Sequence, residues 1–209
     1  MPIKISIIDY GMGNLKSIDK LLHHLKVDSI ITSDSKAILD SDGVILPGVG
    51  AFGDAMKNLR ELNLIPTIDQ IVKEKKPLFG ICLGQQLLFS KSYEMGEHTG
   101  LDIIKGEVIP FDINKVDKVP QIGWNNVDFQ NKEHFLIQNV LNNSYFYFVH
   151  SFYTVPENEE NIVGLTKYGD IEYGSIIRKD NVFATQFHPE KSSKNGIQIY
   201  KNFIDYCQR

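Results

Sequence analysis

Two hydrophobic rhythms divide the chain. In the first half, residues 3–8, 29–32, 43–46 and 78–81 form short apolar runs with the length of buried strands. Between them, Leu15, Ile18, Leu22 and Leu25 recur at helical spacing, and segments 54–62 and 67–74 carry the same period. The turn Asp9-Tyr10-Gly11-Met12-Gly13-Asn14 closes the first strand, with Asn14 positioned to cap the helix that follows. Strands that alternate with helices predict a parallel sheet covered on both faces.

The second half has a different rhythm. Residues 103–111, 121–129, 145–154, 162–168, 173–178 and 182–186 are strand-like, separated by turn signals, and helical periodicity returns only after Ser193. A helix over 83–89 is expected to start directly after Cys82. Repeats, low-complexity tracts and linkers are lacking. The expected architecture is one α/β domain over residues 1–209. It has a flavodoxin-like open sheet, mostly parallel with an antiparallel extension, and helices on both faces.

Composition narrows the function classes. A chain of 209 residues, 42% hydrophobic, can bury a proper core. A net charge of −4 and a pI near 5.9 leave no basic footprint, so nucleic acid is not an expected partner. The lysines at 73, 75 and 76 read as the solvated end of a helix. No apolar run approaches the roughly 20 residues needed to span a bilayer, so no membrane association is expected. The opening Met1-Pro2-Ile3-Lys4-Ile5 lacks the apolar region and cleavage site of a signal peptide and reads as a strand. Two cysteines, Cys82 and Cys207, make no disulfide framework, and a cytoplasmic location is expected. Cys207 falls on the stripe Ile197, Tyr200, Ile204 of the last helix and reads as core.

The candidate chemistry begins at Pro77-Leu78-Phe79-Gly80-Ile81-Cys82-Leu83-Gly84. Here an apolar strand turns sharply at a cysteine with glycine two residues to either side. This is the nucleophile-elbow pattern G-x-S-x-G with cysteine in place of serine. A thiol at the end of a strand and the start of a helix is placed where thiolate is favoured. The alternative is a buried structural cysteine that lies between glycines.

A cysteine nucleophile wants a base and a group to orient that base. His23 and His24 read as surface residues, and His98 and His134 as solvated loop residues. His150, at the end of an aromatic strand, reads either as a pocket residue or as a satisfied core histidine. His188 differs, because it lies in Phe187-His188-Pro189-Glu190 at a strand exit. Proline drives the residue before it towards extended backbone, so the side chains of 188 and 190 should point the same way. That places a carboxylate beside an imidazole; the alternative is a strand exit capped by a surface salt bridge. A third feature, Pro47-Gly48-Val49-Gly50, ends another strand of the parallel half. Such a loop is suited to presenting backbone N–H groups to an oxyanion, jointly with the Leu83 N–H. It also reads as an ordinary strand-to-helix loop, or a phosphate loop without a Walker lysine.

In this order, the three motifs resemble the class I (triad) glutamine amidotransferases. Within that group, Ile8-Asp9-Tyr10-Gly11-Met12-Gly13-Asn14, Leu46-Pro47-Gly48-Val49-Gly50-Ala51-Phe52-Gly53, Gly123-Trp124-Asn125 and Tyr147-Phe148-Val149-His150-Ser151 resemble the glutaminase subunits of imidazole glycerol phosphate synthases. The resemblance implies that Cys82 attacks the side-chain amide of L-glutamine. It makes His188 the base and Glu190 its orienter, with backbone N–H groups of Leu83, Val49 and Gly50 holding the oxyanion. It further implies that Gly48, Gln86, His150, Ser151 and Phe152 contact glutamine. Asn14, Trp124, Tyr147 and Lys191 would lie towards a (β/α)8 synthase subunit that receives the ammonia in a heterodimer. No cofactor and no metal are implied. The sequence departs from the family form at Gln121-Ile122, where the family usually has His-Met or a similar pair. It departs again at residues 100–104 and at Pro110, where an arginine is common. These differences leave room for a paralogue that supplies ammonia to a sugar-amidating enzyme of surface-polysaccharide synthesis. A non-catalytic regulatory module of the same fold would be expected to lose a triad member, and all three are present.

Overall fold

Apolar strands with little polar interruption require two buried faces, and the computed structural model, which describes residues 3–209, provides them. Met1-Pro2, part of the chain start read above, lies outside the described residues. The parallel half runs β1 (Lys4–Ile8), α1 (Leu15–His24), β2 (Asp28–Thr32), α2 (Ser35–Leu39), β3 (Gly43–Leu46), α3 (Phe52–Glu61), α4 (Ile65–Lys73), β4 (Leu78–Ile81) and α5 (Leu83–Leu87). Successive side chains of each strand enter opposite cores. Ile5, Ile7, Ile45, Phe79 and Ile81 join one cluster, while Ile8, Val44, Leu46 and Leu78 join the other. Burying each such side chain fully contributes about 1.5–3 kcal/mol. The first cluster takes Ile18 and Leu22 of α1; the second takes Ala55, Met56 and Leu59 of α3 and Ile68 and Ile71 of α4. The short helix α2, too brief to show a period in the sequence, is started by Asp34, whose carboxylate accepts the Ala37 N–H at 2.7 Å.

The second half adds β5 (Phe89–Ser92), β6 (His98–Thr99), β7 (Ile104–Pro110), β8 (Gln121–Phe129), β9 (Ser144–His150), β10 (Phe152–Pro156), β11 (Ile162–Tyr168), β12 (Ile171–Lys179), β13 (Val182–Thr185) and α6 (Ser193–Cys207). Among the described residues, nine strands form one sheet in the order β2-β1-β3-β4-β13-β12-β11-β8-β9. Its first five members are parallel and the rest pair antiparallel, which is the expected open sheet with an antiparallel extension. On the first face α6 contributes Tyr200 and Phe203, whose rings meet Phe79 at 5.9 and 5.1 Å. Cys207, at the end of α6, packs against this same cluster while partly exposed.

Two expectations need correction. The helix expected over 83–89 stops at Leu87, because Phe89 to Ser92 pairs with β7 instead. The strand expected over 145–154 divides at Ser151, since β9 pairs with β8 whereas β10 pairs with β7. The second pairing belongs to a separate four-stranded sheet, β10-β7-β5-β6, which the alternation pattern did not reveal. Both halves of the run are extended and half-buried, so a change of sheet leaves no local signal. Among the described residues, no helix is long and apolar enough to cross a membrane.

The strand order matters most for the chemistry. β3, β4 and β13 are adjacent and parallel, so their carboxyl ends open on the same edge. The three motifs leave those ends: Pro47 after β3, Cys82 after β4, and Gln186 to His188 after β13.

Candidate active site

Cys82 takes φ +54° and ψ −108°, a conformation that costs a non-glycine residue on the order of 1–3 kcal/mol and needs its surroundings to enforce it. Two hydrogen bonds do so. The Cys82 N–H donates to the Thr185 carbonyl at 2.8 Å, and its own carbonyl accepts the Gln85 N–H at 3.0 Å. Gly84 permits the close pass of α5 over the end of β3, since a Cβ there would sit 1.9 Å from the Leu46 carbonyl oxygen. Helix α5 is little more than one turn long, so it offers free N–H groups at the elbow rather than a long dipole. Among the described residues the Leu83 N–H has no internal acceptor.

His188 follows β13, with its N–H on the Tyr147 carbonyl at 3.0 Å and its carbonyl accepting the Ser192 hydroxyl at 2.6 Å. Its Nδ1–H donates to Glu190 Oε1 at 2.8 Å, and both side chains are buried. They meet differently from expectation: Pro189–Lys191 is a 3-10 turn, so Glu190 folds back on the ring instead of extending beside it. The remaining nitrogen, Nε2, is buried without a hydrogen-bond partner, and the Cys82 sulfur is its electrostatic neighbour. Burial alone would keep this imidazole neutral. The Cys82 sulfur and the Glu190 carboxylate outweigh it and push His188 up to about 10.

The third motif closes the site from β3. Tyr10 is buried, and its hydroxyl donates to the Pro47 carbonyl at 2.7 Å, anchoring the start of the loop. Gly50 takes φ +104°, in the region where glycine carries no side-chain clash. Val49 and Gly50 face a cleft of about 340 Å³ shared with Cys82, Leu83 and His188. Gln86 and the chain crossing His150-Ser151-Phe152, where it passes from one sheet to the other, complete the predicted wall. Gly48 and Glu190 stand behind the lining rather than in it. A larger hollow of about 410 Å³ between β10 and the β11–β12 pair contains neither cysteine nor histidine.

Three lining residues escaped the sequence: Glu94, Pro120 and Val149. Glu94 Oε2 accepts the Phe52 N–H at 2.7 Å, tying the cleft to the first turn of α3. It lies between two short strands of the second sheet, where no local pattern marks it. Val149 offers its carbonyl to Cys82 Sγ at 3.9 Å.

The other histidines divide. His23 and His24 are exposed, as expected. His98, expected to be solvated, is half-buried with its ring 6.4 Å from that of Phe52. His150 fits both readings, lining the cleft while Nδ1–H donates to the Phe152 carbonyl at 2.8 Å and Nε2 meets the Tyr173 hydroxyl at 3.1 Å. Burial pushes it down to about 4. His134, also expected to be solvated, packs against Phe135 and Phe183 and is likewise held near about 4 by burial, then by Arg178. Its ring lies against Phe183 of β13, which is distant in sequence. Both rings have folded pKa values below the ordinary 6.5, so between those pH values the unfolded chain binds protons that the folded chain does not. Stability therefore falls as pH drops through that window. Urea-unfolding midpoints are expected to decline from pH 6.5 towards pH 4, and a flat profile would contradict the burial of these rings.

The four residues implied to face a partner do not read as core. Trp124 is 52% exposed and meets Tyr147 edge to face at 6.2 Å, in register across β8 and β9. Lys191 Nζ stands 5.9 Å from the centre of the Tyr147 ring. Ile122, 56% exposed, extends this face beside Val149 and hence to the rim of the cleft. Asn14 begins α1 without capping it, and its Oδ1 accepts the Ser17 hydroxyl at 2.8 Å.

Comparison with known proteins agrees with this geometry. A sequence profile described as "Glutamine amidotransferase class-I" matches residues 6–206. The chain is 49% identical over 198 residues to "Imidazole glycerol phosphate synthase subunit HisH" of Aquifex aeolicus, covering 94% of each chain. It is 52% identical over 201 residues to the protein of that name from Methanocaldococcus jannaschii, covering 96% of this chain and 98% of that one. Among solved structures, a putative GMP synthase component from Thermoplasma acidophilum superposes with a TM-score of 0.74 at 19% identity, covering 100% of this chain and 95% of that one. The structure of PurLQS from Thermotoga maritima gives 0.74 at 17% identity, with 99% of both chains covered.

Proposed function

This chain belongs to the class-I glutamine amidotransferases, and from that premise we infer that it is the glutamine-hydrolysing subunit of an imidazole glycerol phosphate synthase, acting in histidine biosynthesis. The observation that carries the mechanism is the buried His188–Glu190 pair at 2.8 Å, with the free His188 Nε2 beside the Cys82 sulfur. Glutamine binds in the cleft with its side-chain amide against Cys82. The thiolate attacks the amide carbon, and negative charge moves to the oxygen, where the N–H groups of Leu83 and of Val49 or Gly50 receive it. His188, holding the thiol proton, passes it to the departing nitrogen, and ammonia leaves a glutamyl thioester. Water, deprotonated by His188, then attacks the thioester and frees glutamate and the thiol. Glu190 holds the tautomer throughout. The carboxylate of Glu94 suits the α-ammonium of the substrate, while Gln86 and residues 150–152 shape the remaining wall.

The ammonia is delivered across the Ile122–Trp124 face to a (β/α)8 synthase subunit in a heterodimer. Support comes from the exposed aromatic surface that runs from the cleft rim, and from the names of the relatives. The family departure at Gln121-Ile122 divides between inside and outside. Gln121 is buried on the Tyr173 hydroxyl at 2.9 Å, and only Ile122 meets the face. A cytoplasmic setting suits the two free cysteines. The test is glutamate release with and without the synthase partner and its phosphoribulosyl ligand. Partner plus ligand should raise the rate at least tenfold, a lowering of the barrier by about 1.4 kcal/mol or more. Trp124→Ala should lose that stimulation while Cys82 remains open to alkylation. Stimulation only by a sugar-amidating partner would transfer the chain to that pathway.

A further inference from the structure

The segment Gln186-Phe187-His188-Pro189-Glu190 opens with a residue that the triad leaves unused. Gln186 is fully buried and does not line the cleft, so it has no route to glutamine. Its Nε2 lies 3.8 Å from Cys82 Sγ.

The direction of that amide follows from a chain of obligate roles. The Phe152 carbonyl can only accept, and it takes Gln86 Nε2 at 2.9 Å. That fixes the Gln86 amide with its nitrogen inward. The same nitrogen lies 3.1 Å from Gln186 Oε1, and a flipped Gln186 would set two donors against each other. Gln186 therefore turns its oxygen to Gln86 and its N–H to the sulfur. A donor on sulfur stabilises the thiolate over the thiol.

Resting on Cys82 as the nucleophile, we propose that Gln186 is a positioning residue that holds the Cys82 sulfur and favours its thiolate, and that Gln86 sets the direction of the Gln186 amide. The other groups around Cys82 leave a part for such a donor. His188 favours the anion, whereas the carboxylates of Glu190 behind it and Glu94 across the cleft oppose it. Tyr10 and Tyr173 are close enough to interact with the sulfur, and burial keeps both hydroxyls protonated and His150 neutral. Unlike protonated His188, the Gln186 amide is a neutral donor within reach of the sulfur, and its contribution does not titrate.

The experiment is the pH profile of iodoacetamide alkylation in the full chain, read on the Cys82 peptide by mass spectrometry to keep Cys207 apart. Gln186→Leu should move the midpoint for Cys82 upward and slow alkylation about three- to tenfold below it, since one pKa unit changes the thiolate fraction tenfold. Gln186→Glu, which keeps the shape and faces the sulfur with a carboxylate, should move it further. Gln86→Leu, at the cleft edge, frees the Gln186 amide to turn and should give a smaller shift in the same direction. This last variant also guards against a Gln186 replacement that fails to fold, and circular dichroism reports the fold of each. If the parent Cys82 is inert at every pH, the nucleophile assignment itself fails. If the parent reacts and the folded variants keep its midpoint, the role of Gln186 is overturned.

Discussion

Cys82→Ala is expected to abolish glutamate release while leaving the fold intact. Without sulfur no thioester forms, and the oxyanion donors have nothing to act upon. Loss of a nucleophile that works as one unit with its base costs on the order of 10⁴-fold or more in turnover. The fold should tolerate the change because, among the described residues, the sulfur's hydrogen bonds are both long, 3.9 Å to the Val149 carbonyl and 3.8 Å from Gln186 Nε2. The strained backbone at φ +54° is held by main-chain hydrogen bonds that alanine keeps. The measurement is glutamate formed with the synthase partner saturating, beside a thermal melt. A variant that melts like the parent and still releases glutamate at a comparable rate would remove Cys82 from the mechanism.

The second large effect is Glu190→Gln, expected to lower turnover by about 10²- to 10⁴-fold with little change in KM. The carboxylate is acceptor-only and forces the proton onto His188 Nδ1, leaving Nε2 free to take the thiol proton. An amide in its place can donate to Nδ1, which moves the ring proton to Nε2 and disables the base. The same change removes one of the two groups that hold His188 up near about 10, so protonated His188 becomes less favoured. The limb of the rate profile governed by imidazolium should then move to lower pH. Steady-state rates across pH for parent and variant decide it, and an unchanged profile would reduce Glu190 to a structural ion pair.

Legibility in the sequence followed the range of the forces involved. The boundaries of β3 and β4 could be read in advance because both strands are buried on two faces and read as solid apolar runs. The elbow was equally plain, since a residue at positive φ with another backbone at 1.9 Å from its neighbour's missing Cβ leaves a glycine imprint. His188 and Glu190 were paired correctly, although through a 3-10 turn that the extended-backbone rule at proline did not foresee. The division of residues 145–154 between two sheets had no such imprint, because pairing partners and not residue types distinguish β9 from β10. His134 was misjudged for a related reason: its polar neighbours in sequence are not its neighbours in space.

What the sequence determined by itself is the residue types of the candidate site: a glycine loop after one strand, a cysteine at an elbow after the next, and a histidine and glutamate after a third. Each is set by local backbone requirements, which have to be met residue by residue. The tertiary structure alone decided what surrounds them. The order β3-β4-β13 brings the three motifs to one edge, and the strand that changes sheets at Ser151 builds the cleft wall. It also brings Glu94 into the cleft and aims the Gln186 amide at sulfur. The Gln186–Cys82 contact alone joins residues 104 apart, where only strand order and packing, and no neighbouring residue, can specify contact.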